Sequence, residues 1–564
     1  MLSDPVADLP WTAYRPFKAQ LMDRFYNHPG DVVRQVLAST ATGAAVDVAD
    51  PASGMRILAR SDLDRAQVAV LSGGGAGHEP SHAGFIGRGM LSAAISGEIF
   101  ASPSVAAVLA AIRHCTGSGG SLLIVKNYTG DRLNFGLAAE QARSEGLDVR
   151  MCIVADDIAL PDTARPRGIA GTVLVHKYAG YLASQGLALN EVATRTQVLA
   201  DRLLSLGLSL SSCTLPGHMP EPRGAELGLG IHNERGARAI RPRDANSAVD
   251  MVLTLLLEQA DLRYGPGTPL IVMLNDLGGC STQELALLAD EVLNRIGLPR
   301  VALMVRPAPL MTSLDMHGFS VTLLPAEAEY LDALRAPVEP LAWPGTYVPR
   351  EPRVFEVALD AADRIAPGTQ DDAVAAKIER VVWTLLDAEK TLDEFDARIG
   401  DGDAGSTFAT GARAVQARLQ QNSLSTGEAA RLCDELGRLL AHAMGGSSGV
   451  LLSILFTATG TALAAGRDWP AALDEGIARM RHYGGAGPGD RTMLDALIPA
   501  VQSLPQGFVE AARAAREGAD LTATMARAGA GRASYVPEHA LTGAIDPGAE
   551  AVARAFEALA AVSD

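Results

Sequence analysis

At 564 residues the chain is too long for one hydrophobic core, and ordinary domain sizes predict about three to five units. Apolar residues make up 48% and charged residues 20%, a globular composition that excludes wholesale disorder. Acidic residues outnumber basic ones 65 to 48, for a net charge of −17, and no run of Lys and Arg offers a basic patch, so nucleic acid is excluded as a partner.

The N-terminal MLSDPVADLPWTAYRPF carries early acids and prolines and lacks the basic and apolar regions of a secretory signal, which argues against export. Five scattered cysteines (Cys115, Cys152, Cys213, Cys280 and Cys433) form no Cys-x-x-Cys pair and fit a reducing, cytoplasmic setting. Short β-branched runs then repeatedly end in a Gly, Asn or Asp-rich loop and lead into a stretch of helical character, which is α/β grammar. They are QVAVLSGGG from Gln67, SLLIVKNYTGD from Ser121, VRMCIVADD from Val149, PLIVMLNDLGG from Pro269 and VALMVRPAP from Val301. In open α/β sheets the loops beyond the strands' carboxyl ends line the ligand crevice, so the chemistry is expected there.

The first such loop, Ser72 to Gly87, sets Gly73, Gly74, Gly75 and Gly77 directly before His78. Glycines let a ligand approach the backbone, although a glycine triplet alone serves equally well as a tight turn. His78, Glu79 and His82 tilt the reading towards a site. The second strand delivers Lys126, Asn127 and Asp131 to a loop at the same sheet edge, where lysine can polarise an oxygen and aspartate can accept a proton. Taken singly, each is better explained by a surface charge or an Asx turn than by catalysis. In ELGLGIHNERG, His232 follows an alternating apolar run; such a histidine is usually structural, yet a neutral imidazole can add to a ketone and form a hemiaminal.

The stretch RAPVEPLAWPGTYVPREP concentrates Pro337, Pro340, Pro344, Pro349 and Pro352 and reads as an extended linker over 336–365. Beyond it Val374, Ile378, Val381, Val382, Leu385 and Leu386 recur at helical spacing, and alanine-rich periodic segments continue without a convincing strand, so this region is expected to be all α. FDARIGDGDAGST holds Asp396, Asp401 and Asp403, loosened by Gly400, Gly402 and Gly405. Carboxylates so close repel unless a cation neutralises them, and magnesium is the natural candidate; a solvated acidic turn is the bland alternative. The uncharged stretch from Ala443 to Gly466 has the length of a membrane span, but Gly445, Gly446, Ser447, Ser448, Gly449 and three threonines make it a loop followed by a buried helix, with no membrane as partner. Three glycine-bearing stretches, MGGSSG from Met444, YGGAGPGDRTMLD from Tyr483 and GRASYVPEHALTGAIDPGA from Gly531, could meet phosphate, although no Walker sequence occurs.

Together GGGAGHEPSHAG, GEIFASPS, KNYTGD, GLGIHNERG, MTSLDMHGFSVTLL, GDGDAGST, MGGSSG, GDRTMLD and GRASY, in this order over nearly the whole chain, resemble the dihydroxyacetone kinase family in its single-chain, ATP-dependent form. The resemblance implies an α/β ketone-binding region of two subdomains over 1–345, divided internally near 185–195, and an antiparallel helical barrel over 366–564 that binds nucleotide. It implies that His232 binds the ketone covalently, that His78 and Asp131 act in acid/base steps, and that Gly75, Ala76, Gly77, His78, Lys126 and Asp131 line the substrate. It assigns magnesium to Asp396, Asp401 and Asp403, and the nucleotide to Ala404, Gly405, Ser406, Thr407, Gly446, Ser447, Ser448, Gly484, Met493, Arg532, Asp546, Pro547 and Gly548. ATP and Mg2+ are the expected cofactors, a small ketose the substrate and a homodimer the expected assembly.

Two departures from the family pattern stand out: NERG after His232 where many relatives have GEPG, with His218 added nearby, and Pro537, His539 and Ala540 in place of a common GERS version. The expected reaction is capture of the ketone by His232, then attack of a terminal hydroxyl on the γ-phosphate while Asp131 or His78 removes its proton. Dihydroxyacetone is the leading substrate. An erythrulose-type tetrulose is the alternative within the family, and an FAD-AMP lyase (cyclising) activity and a non-catalytic ketose sensor are the readings from other classes.

Overall fold

The computed structural model describes residues 24–160, 166–219, 223–356 and 368–562. The N-terminal segment read for a secretory signal, Pro220–Pro222 at the end of the His218 stretch, residues 357–367 of the proline-rich stretch and the side chains of His539 and Ala540 lie outside the described residues. The chain divides into two units, 1–354 and 355–564.

The first unit opens with α1 (Val32–Thr42), β1 (Val46–Val48), β2 (Ile57–Arg60), β3 (Ala69–Ala76), β4 (Ala93–Ile99), α2 (Val105–Cys115), β5 (Ser121–Lys126), α3 (Thr129–Ser144) and β6 (Val149–Val154). The six strands form one sheet in the order β1-β2-β4-β3-β5-β6. β3 runs parallel to both β4 and β5, and β5 to β6, while β2 is antiparallel to β1 and β4. Every residue of β3 and β5 is buried, as expected for parallel strands covered on both faces. α2 and α3 cover one face with Val108, Ile112, Phe135 and Ala139. α4 (Thr172–Ser184) and α5 (Leu189–Asp201) cover the other.

The second sheet contains β7 (Leu204–Ser209), β8 (Glu226–Leu227), β9 (Arg238–Ala239), β10 (Leu270–Asp276), β11 (Val301–Ala308), β12 (Gly318–Pro325) and β13 (Thr346–Tyr347), interleaved with α6 (Ala245–Tyr264), α7 (Thr282–Ile296) and α8 (Ala328–Arg335). Its order is β13-β11-β10-β12-β7-β8-β9. α6 and α7 pack on one face through Val252, Leu256, Leu288 and Val292. The opposite face shares a single core with α4 and the first sheet, where Val173, Leu174 and Tyr178 meet Ile271, Met273, Val305 and Tyr330. The two sheets are therefore welded through α4, nearly all of whose residues are buried.

The internal division expected near 185–195 spans the turn between α4 and α5 and the start of α5, which packs on β5 and β6; the chain passes to the second sheet between Asp201 and Leu204. Part of the proline-rich stretch belongs to this unit as well. Trp343 is buried, β13 pairs with β11, and the Glu339 carboxylate accepts a hydrogen bond from the Arg88 amide.

The second unit contains α9 (Asp372–Asp387), α10 (Glu389–Asp396), α11 (Ala404–Gln420), α12 (Ala429–Ala443), α13 (Gly446–Ala464), α14 (Trp469–Gly484), α15 (Leu494–Ser503), α16 (Phe508–Thr522), α17 (Glu538–Leu541) and α18 (Pro547–Ala560). Among the described residues it has no strand. Eight long helices close a ring: α9 packs on α11, α11 on α12, and so through α13, α14, α15, α16 and α18 back to α9. Asp371, Asp468 and Asp546 cap α9, α14 and α18, and Pro stands in the first turn of the last two.

α13 is the uncharged segment expected to be a buried helix. It alone among the described residues is long and apolar enough to cross a membrane, and only 28% of its apolar window is buried within the chain. The reason is its seating. Small residues make the close contacts, since a side chain at Gly437 of α12 or Gly476 of α14 would collide with Thr457, Thr459 or the Leu455 carbonyl, while Val450 faces outward.

Candidate active site

β4 lies on one side of β3 and β5 on the other, so the chain reverses direction across the sheet at β3 and the carboxyl ends of these three strands converge. They deliver His78, Phe100 with Ser102, and Lys126 with Asp131. The stretch expected to be a loop from Ser72 is strand as far as Ala76, so that Gly73, Gly74 and Gly75 form the carboxyl end of β3, and the loop begins at Gly77. This glycine stretch lies flat on its neighbours: a Cβ on Gly75 would stand 2.7 Å from the Ala101 amide nitrogen, and one on Gly77 would stand 2.9 Å from the Phe100 ring. The loop is then pinned to the second sheet. Leu314 N donates to the Gly77 carbonyl at 2.8 Å, and Thr312 Oγ1 donates to the Glu79 carbonyl at 2.9 Å.

His78 is fully buried between these layers. Its Nδ1 lies 2.8 Å from the Thr312 carbonyl oxygen and donates to it, while Nε2 is buried without a hydrogen-bond partner among the described residues. Burial, then the nearby His232 and Lys126, push the imidazole well below its usual pKa, against the pull of the Thr312 carbonyl. His78 is thus a neutral base with its lone pair free.

The His78 ring stacks on Phe100 with centroids 5.3 Å apart and meets His232 edge-on at 4.9 Å. His232 is also flanked by Tyr128 at 4.2 Å and Phe100 at 5.6 Å, so three rings fix its plane. The Glu234 carboxylate accepts a hydrogen bond from the His232 amide at 2.7 Å and faces Nδ1 at 3.7 Å. Burial alone would raise the Glu234 carboxyl, but the His232 ring and amide together with its own amide bring it down to about 2. An anion beside Nδ1 favours the tautomer with its proton on that nitrogen, which leaves the Nε2 lone pair available. The NERG departure therefore retains the carboxylate that faces His232, and Asn233 takes φ +60°, a conformation Asn tolerates better than most side chains.

Asp131 sits in the first turn of α3 rather than in a loop, where the helix dipole favours a negative charge. Its Oδ1 accepts from Ser102 Oγ, and its Oδ2 lies 3.9 Å from Lys126 Nζ. Lys126 is completely buried, and burial lowers its pKa against the opposing charge of Asp131. A side chain on Gly74 would fill the space between Lys126 Nζ and Asp131. Asn127, by contrast, is turned aside to tether the Pro166 carbonyl at 2.6 Å.

In the second unit Asp396, Asp401 and Asp403 each offer a carboxylate oxygen within 4.8 Å of the others. The loop folds back on Asp396, whose Oδ2 accepts from the amides of Gly402, Asp403 and Ala404 at 2.9, 3.0 and 3.3 Å. Gly402 takes φ +80° to make this turn. Arg532 pairs with Asp401. Three converging carboxylates met by one guanidinium are a hard, anionic donor set that fits Mg2+.

Ala404, Gly405, Ser406 and Thr407 form the first turn of α11 directly after this loop, with the Ser406 amide and hydroxyl both donating to Asp393 at 2.9 Å. The remaining candidates fall into two further groups. Gly446, Ser447 and Ser448 open α13, and Gly484 packs against Leu451 one turn along it. Met493 abuts Gly548, where Asp546 caps α18 through the Ala549 amide at 2.8 Å and Pro547 occupies the first turn. Asp546 is partly buried, and that desolvation raises its carboxyl to about 6.

Sequence reasoning missed Phe100, Tyr128, Ser102, Thr312 and Glu234. Each stands inside one of the motif stretches, but nothing in local spacing says that these residues converge from positions up to 234 residues apart.

Models of known families match this chain twice: the Dak1 domain over residues 41–342 and the DAK2 domain over 398–561. The chain is 47% identical over 535 residues to the dihydroxyacetone kinase of Citrobacter freundii, covering 93% of this chain and 96% of that protein. It is 41% identical over 548 residues to the triokinase/FMN cyclase of Homo sapiens, covering 90% and 93%. Among solved structures, the dihydroxyacetone kinase from C. freundii in complex with AMP-PNP and Mg2+ superposes with a TM-score of 0.73 at 44% identity, covering 95% of this chain and 99% of that one.

Proposed function

This chain belongs to the dihydroxyacetone kinase family, and from that premise we propose that it transfers the γ-phosphate of ATP to a hydroxyl of a short-chain ketose, dihydroxyacetone first. The observation that carries the reading is the caged His232, its Nδ1 facing Glu234 and its ring against a neutral His78 with a free Nε2. The Nε2 lone pair adds to the carbonyl carbon, the carbonyl π pair becomes an alkoxide that takes up a proton from solvent, and the Glu234 carboxylate balances the positive charge left on the imidazole. A substrate this small offers few contacts, so a covalent bond holds it where binding area cannot. Glycerol, having no carbonyl, is refused.

Asp131 or His78 then takes the proton of the attacking hydroxyl, and Lys126 orients the substrate's oxygens beside them. In the second unit Asp396, Asp401 and Asp403 would hold Mg2+, which when bound neutralises phosphate charge. The first turns of α11, α13 and α18 would surround the nucleotide, with Arg532 beside the carboxylate loop. A coupled ADP-release screen over dihydroxyacetone, glyceraldehyde, the erythruloses and glycerol tests the reading. ADP release with ketoses and none with glycerol is expected; equal rates with glycerol would overturn it.

A second reading has one specific support, the 41% identity to a protein named triokinase/FMN cyclase. Under it the second unit would also cyclise the ribonucleotide part of FAD with release of AMP, which chromatography of FAD incubations would detect. We place the enzyme in the cytosol, in keeping with five free thiols, and as a homodimer, which light scattering would check.

A further inference from the structure

Behind the substrate-facing Lys126 lies a row of three further buried polar side chains, His82, Ser72 and His176, that take no part in the proposed ketose chemistry. Lys126 Nζ stands 2.8 Å from His82 Nε2 and 3.3 Å from the Gly73 carbonyl. His82 Nδ1 lies 3.3 Å from Ser72 Oγ, and His176 Nε2, reaching in from α4, lies 3.1 Å from the same oxygen. Ser72 Oγ also lies 2.8 Å from the Ile124 carbonyl. All four side chains are buried.

The donors and acceptors in this row leave one arrangement of protons. A carbonyl only accepts, so the single Ser72 hydroxyl proton goes to Ile124. Ser72 Oγ must then accept from both imidazoles, which puts the proton of His82 on Nδ1 and that of His176 on Nε2. His176 Nδ1 becomes a bare lone pair, and that atom indeed has no hydrogen-bond partner among the described residues. His82 Nε2 becomes a lone pair that accepts from Lys126. Of the three ammonium protons one goes to His82 and one to Gly73. The third has only the space over Gly74, where the nearest acceptor, Asp131 Oδ2, lies 3.9 Å away.

We propose that His82, locked in one tautomer by Ser72 and His176, is a positioning residue that aims the last proton of Lys126 into the space over Gly74, beside Asp131, where a hydroxyl of the ketose is held. This rests on the reading of the site as a ketose site. It makes the buried row a device for substrate orientation rather than packing. Burial weakens both imidazoles as bases, and the adjacent Lys126 weakens them further, in keeping with two neutral rings.

The test compares His82→Leu, which removes the acceptor, with His82→Gln, whose amide oxygen reaches the position of Nε2. Steady-state ketose kinetics are followed against pH, with thermal melting alongside. His82→Leu is expected to lower kcat/KM for dihydroxyacetone on the order of 10- to 100-fold, the worth of one hydrogen bond to a charged group, with KM for ATP unchanged. Lys126 is faced by Asp131 from α3, His176 from α4, and His78 and His82 from the glycine loop. Without the acceptor its ammonium is less stable, so the alkaline limb of the profile moves to lower pH. His82→Gln should restore most of the rate and return the limb.

Equal losses in Leu and Gln with an unmoved alkaline limb would overturn the proposal in favour of packing, as would unimpaired turnover in His82→Leu. Should His82→Leu fail to fold, Ser72→Ala, which unlocks the tautomer, must give a smaller loss with the same alkaline shift; an unchanged profile there overturns the proposal equally. Absence of ketose-dependent ADP release in the wild-type enzyme would instead overturn the functional reading and this inference with it.

Discussion

His78 Nδ1 and the Thr312 carbonyl oxygen, 234 positions apart in the chain, meet at 2.8 Å, and this one hydrogen bond commits Nδ1. Nε2 has no hydrogen-bond partner among the described residues, and under the proposed function it is the base. Burial first, and then the nearby His232 and Lys126, lower its pKa well below 6.5. The base works only when unprotonated, and a depressed pKa keeps it so as pH falls. Any acid limb of kcat/KM for the ketose that is due to His78 should therefore lie below 6.5. His78→Ala should reduce kcat/KM by on the order of 100-fold or more. An acid limb at or above 6.5 that disappears in the variant would contradict the assignment.

Neighbouring glycines at the end of β3 should fail in different ways. A methyl group on Gly73 meets the carbonyl of its ladder partner Ile95, backbone that cannot swing aside. Gly73→Ala should lower stability by about 1–3 kcal/mol, as overpacking of a dense core does. A methyl group on Gly74 would collide with Lys126 Nζ, and Gly74 also takes φ +158°, a conformation that L side chains rarely adopt. Gly74→Ala should therefore lose stability as well, and should lose ketose turnover beyond that because Nζ must leave its place. Thermal melts paired with kinetics check this; a turnover loss in Gly74→Ala no greater than that in Gly73→Ala would contradict it.

The strands that carry the site were legible because parallel strands buried on both faces read as unbroken apolar runs, as LLIV within β5 does. The glycine loop, His232 and the three aspartates were legible because their chemistry is local to a few residues. The ring cage was not. Phe100, Tyr128 and Thr312 look like ordinary core and turn residues in sequence, and only the weld of two sheets through α4 brings them around His232 and His78. The sequence places Asp131 in a loop because helix starts carry a weak local signal, and here Tyr128 at the N-cap makes no side-chain cap. α13 was expected to be buried because composition reports apolarity and cannot report which neighbours are present.

The aspartate loop should bind metal rather than serve as a solvated turn. Asp403→Ala is expected to abolish magnesium-dependent binding of a non-hydrolysable ATP analogue by calorimetry, with the melt of the first unit unchanged. Asp401→Ala should do the same and also free Arg532 from its ion pair. Undiminished magnesium-dependent binding in both variants would show the loop to be only an acidic turn.

Each unit has its own core, so each should keep its own ligand chemistry when separated. Residues 1–354 should take up ketose and residues 355–564 should bind nucleotide, with neither alone releasing ADP in response to ketose. Mixing the two should restore turnover in proportion to concentration, since tethering supplies a high effective concentration that mixing must replace. Ketose-dependent ADP release by 355–564 alone would contradict a division of labour between the units.

Covalent capture by His232 is the centre of the account, and carbon NMR of the protein with carbonyl-labelled dihydroxyacetone, in the absence of ATP, tests it most directly. The expected result is loss of the carbonyl resonance in proportion to protein, with a new signal from a tetrahedral carbon attached to nitrogen, present in wild type and absent in His232→Ala. A wild-type protein that binds the ketose with its carbonyl resonance intact, or a tetrahedral signal that survives in His232→Ala, would contradict it.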